Sequence, residues 1–406
     1  MSDSIDVTRA AGPAMSNNRW IPAWIASPQP VWADEYPLAA DLPADLRDVT
    51  IRQIVRVGYP GTRIRIVMSN RYGEKAVRLD AVHVAPSVRG AQIDASRDRA
   101  VTFGGRGSAV VPPGANLTSD PIALAVMESD DIAISIRIVE APEIGSFHWD
   151  GRRTGYVLPG DQLSVVSPAA SATTERRLFL AGLLVEAIDS RGVVVAFGDS
   201  ITDGASATID REVRWPDFLV GRAAQRGLSV VNGGISGARL LSDGMCANAL
   251  ARIDRDVIAQ PDVRALILLV GINDIAWPGT PFSLGEAPMT FDRMVVGYRV
   301  LVAHAHAANI RVIGCTLPPF AGALPDTPMA ATYYSTEKNE LRCRINAWIR
   351  DSGTFDATID FDRLLEDPQR PGHLLARYDG GDHLHPGDEG NRAMANAIDL
   401  DMLLYS

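Results

Sequence analysis

Residues 193–204 read VVVAFGDSITDG, and this stretch decides the fold. Its first five residues form a continuous apolar run, which is typical of a strand buried on both faces. The run ends in Gly-Asp-Ser, so polar side chains follow directly at the end of the strand. In open parallel sheets, sites form just beyond the carboxyl ends of the strands. The stretch therefore predicts a buried strand that delivers Ser200 to a functional site.

Downstream of this stretch, apolar runs of strand length alternate with segments of helical length. Buried strands are predicted at 228–231, 265–270, 310–314 and 358–361, and helices at 215–226, 247–259, 291–308 and 336–351. Strand–helix alternation of this kind gives a parallel sheet between layers of helices. Residues 186–406 are therefore predicted to form an α/β domain.

Upstream, from about residue 45 to 185, the pattern has the period of β structure. Apolar and polar residues nearly alternate in 63–68 and more cleanly in 132–138, which predicts strands with one buried face. In the first of these, the buried face would carry Ile64, Ile66 and Met68. Shorter candidate strands are 51–57, 77–84, 101–103 and 122–127. Short strands without long helices between them indicate a β-sandwich or jelly roll, so residues 1–185 are predicted to be a separate β-rich domain.

The composition excludes several classes of protein. The apolar fraction of 46% and charged fraction of 22% are those of a globular chain. A net charge of −10 argues against a nucleic-acid partner, because phosphate binding needs a concentrated positive surface. No apolar run is long enough to span a membrane. The first 20 residues lack an apolar segment after a basic start, which favours a cytoplasmic location, although a leader removed earlier is the alternative.

Cysteine and histidine spacing gives no sign of a metal site. The three cysteines, Cys246, Cys315 and Cys343, are odd in number and lack a C-x-x-C spacing, so buried free thiols are expected. No set of His, Asp and Glu has metal-ligand spacing either. We therefore expect neither a metal nor a cofactor.

Four polar blocks follow the predicted strands of the C-terminal half, as the rule for parallel sheets requires. These blocks are Gly198-Asp199-Ser200, Ile235-Ser236-Gly237, Gly271-Ile272-Asn273-Asp274 and, beyond the last strand, Asp382-His383-Leu384-His385-Pro386.

The first and last blocks contain the parts of a nucleophilic site. A serine hydroxyl is a weak nucleophile until a neighbouring base takes its proton, and that base is usually a histidine held by a carboxylate. Asp382 and His385 are three residues apart, so one turn of chain brings the carboxylate to one imidazole nitrogen while the other faces Ser200. Acyl transfer also needs donors for the developing oxyanion. The backbone N–H groups of Ser200 and Gly237 and the side-chain amide of Asn273 are the candidates.

In that order, the four blocks closely resemble the signature of the SGNH, or GDSL, hydrolase superfamily, over about residues 191–400. The four letters correspond to Ser200, Gly237, Asn273 and His385, with Asp382 completing the triad. The resemblance implies a flavodoxin-like three-layer α/β/α domain and metal-free ester hydrolysis through an acyl-enzyme. It also implies an oxyanion hole built by Ser200, Gly237 and Asn273. The Gly-x-Ser-x-Gly elbow of α/β-hydrolases is absent around Ser200.

The upstream half carries a second likeness. Residues 20–29, WIPAWIASPQ, precede the β-rich stretch as in the two-domain subgroup that includes xylan-associated arylesterases and acylhydrolases. This resemblance implies short-chain, acetyl-type esters as substrates, with O-acetylated carbohydrate as the natural form. A lipase or lysophospholipase and an acyltransferase using the same triad are the alternatives. A carbohydrate-binding N-terminal module is a further one, although aromatic residues are only 6% of the chain and do not cluster in that half.

Each candidate residue also has a structural interpretation. Ser200 is a suitable helix N-cap, Gly237 suits a turn with positive φ, and Asn273 suits a turn. His383 is a rival to His385, but it lacks an Asp three residues before it and a Pro after it. The remaining histidines have no motif around them; they are His83, His148, His304, His306 and His373.

Overall fold

The computed structural model describes residues 19–33 and 35–404. Residues 1–18, on which the expectation about a leader mainly depends, lie outside the described residues. The N-terminal part of the chain is built from short strands. These strands are β1 (Arg19–Ile25), β2 (Gln29–Pro30), β3 (Val49–Arg56), β4 (Ile64–Ser69), β5 (Val77–Leu79), β6 (Ala81–Arg89), β7 (Gln92–Ile93), β8 (Arg99–Ala100), β9 (Ala109–Val111), β10 (Asn116–Thr118), β11 (Asp131–Ile138), β12 (Ser146–His148), β13 (Gly155–Pro159), β14 (Ala172–Thr174), β15 (Arg177–Leu178) and β16 (Leu180–Ala187).

These strands pair antiparallel in several small sheets. The three largest have the orders β1-β16-β4-β10, β14-β13-β3-β11-β6-β7 and β15-β12-β2. The prediction of a β-rich N-terminal part is confirmed, whereas its description as a sandwich or jelly roll stays a prediction. Ile64, Ile66 and Met68 are all fully buried on β4, as their alternation predicts.

Strand β11 differs from the prediction, because both of its faces are buried rather than one. Its second face carries Ala133 and Ser135, which are 1% and 2% exposed. The buried guanidinium of Arg52 donates to Ser135 Oγ at 2.8 Å and to the carbonyl oxygens of Gln162 and Leu163 at 2.8 and 2.9 Å. A loop held by this arginine therefore covers the face that a local pattern assigns to solvent.

Three of the shorter predicted strands are also interrupted. The segment 77–84 divides into β5 and β6, and 101–103 contributes only an isolated bridge at Phe103, after β8. In 122–127 only Ile122 and Val126 form isolated bridges, to Ile64 and Gly61. The alternation in that segment does bury the side chains of Ile122, Leu124 and Val126. Burial of alternate side chains does not by itself create a continuous row of backbone hydrogen bonds between two strands.

The C-terminal part has the alternating pattern of strands and helices that the sequence predicts. Its strands are β17 (Gly192–Gly198), β18 (Leu228–Asn232), β19 (Val263–Leu269), β20 (Arg311–Cys315) and β21 (Ala357–Ile359), and its helices are α1 (Ser200–Asp203), α2 (Trp215–Ala224), α3 (Ala249–Ile253), α4 (Ile272–Ala276), α5 (Phe291–Ala307), α6 (Thr336–Asp351), α7 (Phe361–Leu365) and α8 (Asp388–Ala397). A π-helical turn, Asp254–Ile258, continues α3, and a short 3-10 segment lies at Leu400–Leu403. The N-terminal part also contains a short 3-10 segment, at Ala95–Arg97. The α/β prediction is confirmed.

The five strands form one parallel sheet with the order β18-β17-β19-β20-β21. In chain order this is 2-1-3-4-5, the flavodoxin-like arrangement, with β17 next to the point where the order reverses. All seven residues of β17 are buried, as its apolar run predicts. Strand β21 is shorter than predicted, because Asp360 caps the next helix through the N–H of Arg363 and so starts α7 at Phe361.

One hydrophobic core continues through both parts of the described chain. Strand β1 packs against β18, and Ser229 Oγ donates to the carbonyl oxygen of Pro22 at 2.7 Å. Strand β16 ends at Ala187 and β17 begins at Gly192. The division of the chain into domains 1–185 and 186–406 stays a prediction.

Two smaller expectations are corrected. Cys246 and Cys315 are buried, but Cys343 is exposed because it lies on the outer face of α6. Aromatic residues of the N-terminal part do cluster in space: the ring of Trp32 lies 5.2 Å from Tyr36, 5.2 Å from Phe147 and 6.0 Å from Trp149. Loops bring together rings that are far apart in sequence.

Candidate active site

Ser200 lies directly beyond the carboxyl end of β17, as the first residue of the one-turn helix α1. The cap of this helix is Asp199, whose side chain accepts a hydrogen bond from the N–H of Ile201 at 3.1 Å. Ser200 is therefore not the N-cap, and its hydroxyl is free of that role. Burial raises the pKa of Asp199 to about 7.

The structure brings Ser200 together with the Asp-His pair from the last block. His385 Nε2 lies 2.8 Å from Ser200 Oγ, and His385 Nδ1 lies 2.6 Å from Asp382 Oδ2. The other oxygen of Asp382 accepts the backbone N–H groups of Leu384 and His385 at 3.0 and 2.8 Å. Both carboxylate oxygens are thus held, and the imidazole is oriented between carboxylate and hydroxyl.

The electrostatics of Asp382 suit this position. Burial alone would raise the pKa of its carboxyl, but the hydrogen bond and charge of His385 and the two backbone donors outweigh it and hold the pKa well below its usual range. A carboxylate that stays ionised can orient an imidazole and stabilise the imidazolium that forms when the ring takes a proton.

His383, the rival histidine, is placed elsewhere. Its ring pairs with Asp379, and its side chain is 48% exposed. Asp379 also accepts the N–H groups of Gly381 and His383 at 2.8 and 3.0 Å. Through these two backbone bonds, Asp379 shapes the loop that carries Asp382 and His385.

Gly237 lies in the loop after β18 with φ of +76°, a conformation that favours glycine. A Cβ at this position would lie 2.3 Å from Met245 Sδ. Among the hydrogen bonds of the described residues, neither the N–H of Gly237 nor that of Ser200 has an acceptor. Both N–H groups are therefore available to a ligand.

Asn273 lies on α4, directly beyond β19, and is 3% exposed. Its Oδ1 accepts the hydroxyl of Tyr333 at 2.8 Å, and its Nδ2 donates to the carbonyl oxygen of Ala238 at 3.1 Å. These two bonds fix which end of the amide is the donor, and they leave the second hydrogen of Nδ2 available.

The next residue, Asp274, joins the blocks that carry Gly237 and Asn273. Its carboxylate accepts the N–H groups of Leu240 and Leu241 at 2.6 and 2.9 Å. Burial raises the pKa of Asp274 to about 6, although both backbone bonds oppose that change. The loop after β18 is therefore attached to α4 at three points, at Ala238, Leu240 and Leu241.

Sequence reasoning missed two residues near the site: one contacts the predicted donor Asn273, and the other contacts Asp203 on the helix that begins with Ser200. Tyr333 comes from the long loop before α6, and His148 from the N-terminal part, where its ring bonds Asp203 of α1. Neither has a motif around it. Only the contacts in space identify them.

The described part of the chain offers no cluster of three or more His, Cys, Asp or Glu placed to hold a metal ion. Within the same residues, no helix is both long enough and apolar enough to cross a membrane.

This arrangement can support acyl transfer. It presents a hydroxyl beside an imidazole, a carboxylate behind the imidazole, and two backbone N–H groups and one amide at the ends of neighbouring strands. These are the groups needed to form and stabilise a tetrahedral intermediate.

Several known proteins are similar to the chain. A carbohydrate acetylesterase from Sinorhizobium meliloti is 20% identical, covering 52% of this chain and 97% of its own, with a TM-score of 0.41. A variant of an acetyl-xylooligosaccharide esterase from Geobacillus Stearmophilus is 24% identical, covering 54% of this chain and 97% of its own, with a TM-score of 0.39. The M. Smegmatis aryl esterase is 17% identical, covering 51% of this chain and 95% of its own, with a TM-score of 0.41. No curated protein matches the chain.

The family assignment comes from the sequence match. Residues 196–393 match the GDSL-like lipase/acylhydrolase family. The matched range contains Ser200, Gly237, Asn273, Asp382 and His385, the residues carried over from the resemblance. The chain therefore carries, over residues 196–393, a domain of the GDSL-like lipase/acylhydrolase family, and it is a hydrolase of carboxylic esters.

Proposed function

We propose that the chain is a serine esterase that hydrolyses short-chain, acetyl-type esters through an acyl-enzyme on Ser200, with O-acetylated carbohydrate as its natural substrate class. The observation that carries this proposal is the continuous hydrogen-bonded chain from Asp382 through His385 to Ser200, with distances of 2.6 and 2.8 Å.

The reaction proceeds in two halves. Ser200 Oγ attacks the ester carbonyl while His385 Nε2 takes the hydroxyl proton, and Asp382 stabilises the resulting imidazolium. The N–H groups of Ser200 and Gly237 and the amide of Asn273 donate to the oxyanion. The intermediate collapses, and His385 returns the proton to the departing alcohol. Water, deprotonated by the same histidine, then attacks the acyl-enzyme and releases the acid.

The loop that carries Gly237 is tightly packed. Met245 fills the space next to Gly237, and a Cβ at Gly244 would lie 2.6 Å from the ring of Trp277. Trp277 is itself stacked on Phe282 with ring centroids 4.5 Å apart. These contacts pack the loop tightly on Met245 and Trp277, and the preference for acetyl-type esters remains part of the proposal.

The first experiment tests the nucleophile and base. Ser200→Ala and His385→Ala are expected to lower kcat on p-nitrophenyl acetate by about 10⁴-fold or more, because triad members act as a unit. His383→Asn is the matched control, since asparagine tolerates positive φ and residue 383 has φ of +61°. Substantial turnover by folded Ser200→Ala would refute the proposal, as would equal losses in the two histidine variants.

A second experiment addresses the substrate. A panel of p-nitrophenyl esters of rising acyl length, beside acetylated xylan and acetylated sugars, is expected to show a steep fall in kcat/KM beyond about four carbons. Retained activity on long acyl chains would favour a lipase instead. Formation of a new ester in the presence of an added alcohol, at the expense of free acid, would favour an acyltransferase.

A further inference from the structure

We propose that the N-terminal part of the chain supplies a positioning residue, His148, which holds Asp203 and through it the backbone that leads into Gly237. This inference rests on the proposed function, because it assigns His148 to the geometry of the oxyanion hole. His148 itself does not touch the reacting atoms.

The first step is the bonding of His148. The side chain is 5% exposed, and its Nδ1 lies 3.0 Å from the carbonyl oxygen of Ser27. Its Nε2 lies 3.0 Å from Asp203 Oδ1. A carbonyl oxygen and an ionised carboxylate oxygen both accept, so both ring nitrogens can donate when the ring is protonated. Burial alone would lower the pKa of His148, but the charge and hydrogen bond of Asp203 outweigh it and the pKa is raised.

The second step leads from Asp203 to the oxyanion loop, which is the segment after β18 that carries Ser236, Gly237 and Met245. Asp203 is the last residue of α1, three residues after Ser200, and it is 1% exposed. Its Oδ2 accepts the N–H of Ser236 at 2.8 Å. Ser236 directly precedes Gly237, so this bond fixes the peptide immediately before the one that carries the Gly237 N–H, the proposed second oxyanion donor. His148 and Ser236 thus bind opposite oxygens of one carboxylate.

A neighbouring carboxyl group from the same N-terminal segment holds Ser236 a second time. Ser236 Oγ lies 3.2 Å from Asp150 Oδ2, and Arg152 lies 3.6 Å from the other oxygen of Asp150. Burial and the nearby Asp203 carboxylate raise the pKa of Asp150. Two residues of one N-terminal segment, His148 and Asp150, therefore hold Ser236, one through Asp203 and one directly.

The small sheet that carries His148 touches the oxyanion loop at another point. Its strands β2 and β15 flank β12, and Gln29 on β2 donates to the carbonyl oxygen of Met245 at 3.0 Å. Met245 is the residue whose side chain packs beside Gly237. The N-terminal part therefore supports the loop on both sides of Gly237, and it does so with buried polar groups.

The test compares His148→Ala with His83→Ala. His83 is a matched control, because it pairs with Asp98 of the N-terminal part at 2.8 Å in a similar His-Asp contact. With p-nitrophenyl acetate, His148→Ala is expected to lower kcat by about tenfold or more with KM nearly unchanged, since a misplaced oxyanion donor weakens transition-state binding. His83→Ala is expected to keep the wild-type kcat. A folded His148→Ala protein with wild-type kcat would overturn the inference.

A double-mutant cycle separates positioning from a general loss of structure. Asp203→Asn keeps the size of the side chain but removes its charge, and it is expected to lower kcat in the same way. Because both changes act through one carboxylate, the double variant should lose little more than either single variant. If the fold-losses in kcat of the two single variants multiply in the double variant, the inference is overturned. If His148→Ala does not fold, a wild-type kcat in Asp203→Asn would overturn the inference in the same way.

The outcome remains distinguishable from failure of the proposed function. If Ser200→Ala keeps its activity, the proposed nucleophile is wrong whatever the His148 variants do, and the inference falls with it. If Ser200→Ala is inactive and His148→Ala is fully active, only the role of His148 is refuted.

Discussion

Tyr333→Phe removes one hydroxyl, and with it the bond that orients the amide of Asn273. The hydroxyl is buried and donates to Asn273 Oδ1 at 2.8 Å. Burial and the nearby carboxyl groups of Asp199 and Asp382 raise the pKa of Tyr333, so the hydroxyl stays protonated as a donor. After the substitution, only the bond from Nδ2 to the carbonyl oxygen of Ala238 holds the amide in its orientation.

The expected magnitude follows from the bond that is lost. One neutral buried hydrogen bond contributes about 0.5–1.5 kcal/mol, and leaving its acceptor unsatisfied costs about 1–3 kcal/mol. Complete removal of an oxyanion donor typically lowers kcat by about 10²–10³-fold. Because Tyr333→Phe weakens the orientation of the donor without removing it, we expect kcat to fall by about tenfold, with a smaller change in KM.

The assay is steady-state hydrolysis of p-nitrophenyl acetate by four proteins: wild type, Tyr333→Phe, Asn273→Ala and the double variant. If Tyr333 acts through Asn273, adding Tyr333→Phe to Asn273→Ala should cost almost nothing further. Tyr334→Phe is the control, since its ring packs against Phe320 at 5.1 Å instead of contacting the amide. A full tenfold loss in the Asn273→Ala background would refute this reasoning.

Two further predictions concern stability. The pKa of Asp199 is raised to about 7, so the folded protein binds this proton more tightly than the unfolded chain, and stability falls as pH rises from about 4 through 7. Asp199→Asn, which can still cap α1, should therefore raise the free energy of unfolding by a few kcal/mol at pH 8 but by little at pH 4. This magnitude follows from about 1.4 kcal/mol for each unit by which the pKa is raised. An equal difference between variant and wild type in urea unfolding at both pH values would contradict this prediction. Gly237→Ala forces a side chain into φ of +76°, 2.3 Å from Met245 Sδ. It should cost about 1–3 kcal/mol in urea unfolding and lower kcat as well, and wild-type values for both would show that the loop adapts.

Much of the C-terminal fold is predictable because its strands are buried on both faces. A continuous apolar run such as 193–197 has few alternatives, and α6 lies at 336–351 as predicted. The N-terminal part is less predictable, because short antiparallel strands depend on their neighbours. Burial of both faces of β11 requires the guanidinium of Arg52, whose hydrogen bonds reach residues more than 100 positions away.

By itself, the sequence determined the order of the buried strands and the polar blocks at their ends, because both are local patterns. It also determined that Asp382 and His385 are close enough to pair, since three residues separate them. Only the tertiary structure decided that His385 reaches Ser200 across 185 positions, that Tyr333 bonds Asn273, and that His148 bonds Asp203. Such contacts have no local signature, because a buried polar side chain takes whichever partner the packing of distant segments places beside it.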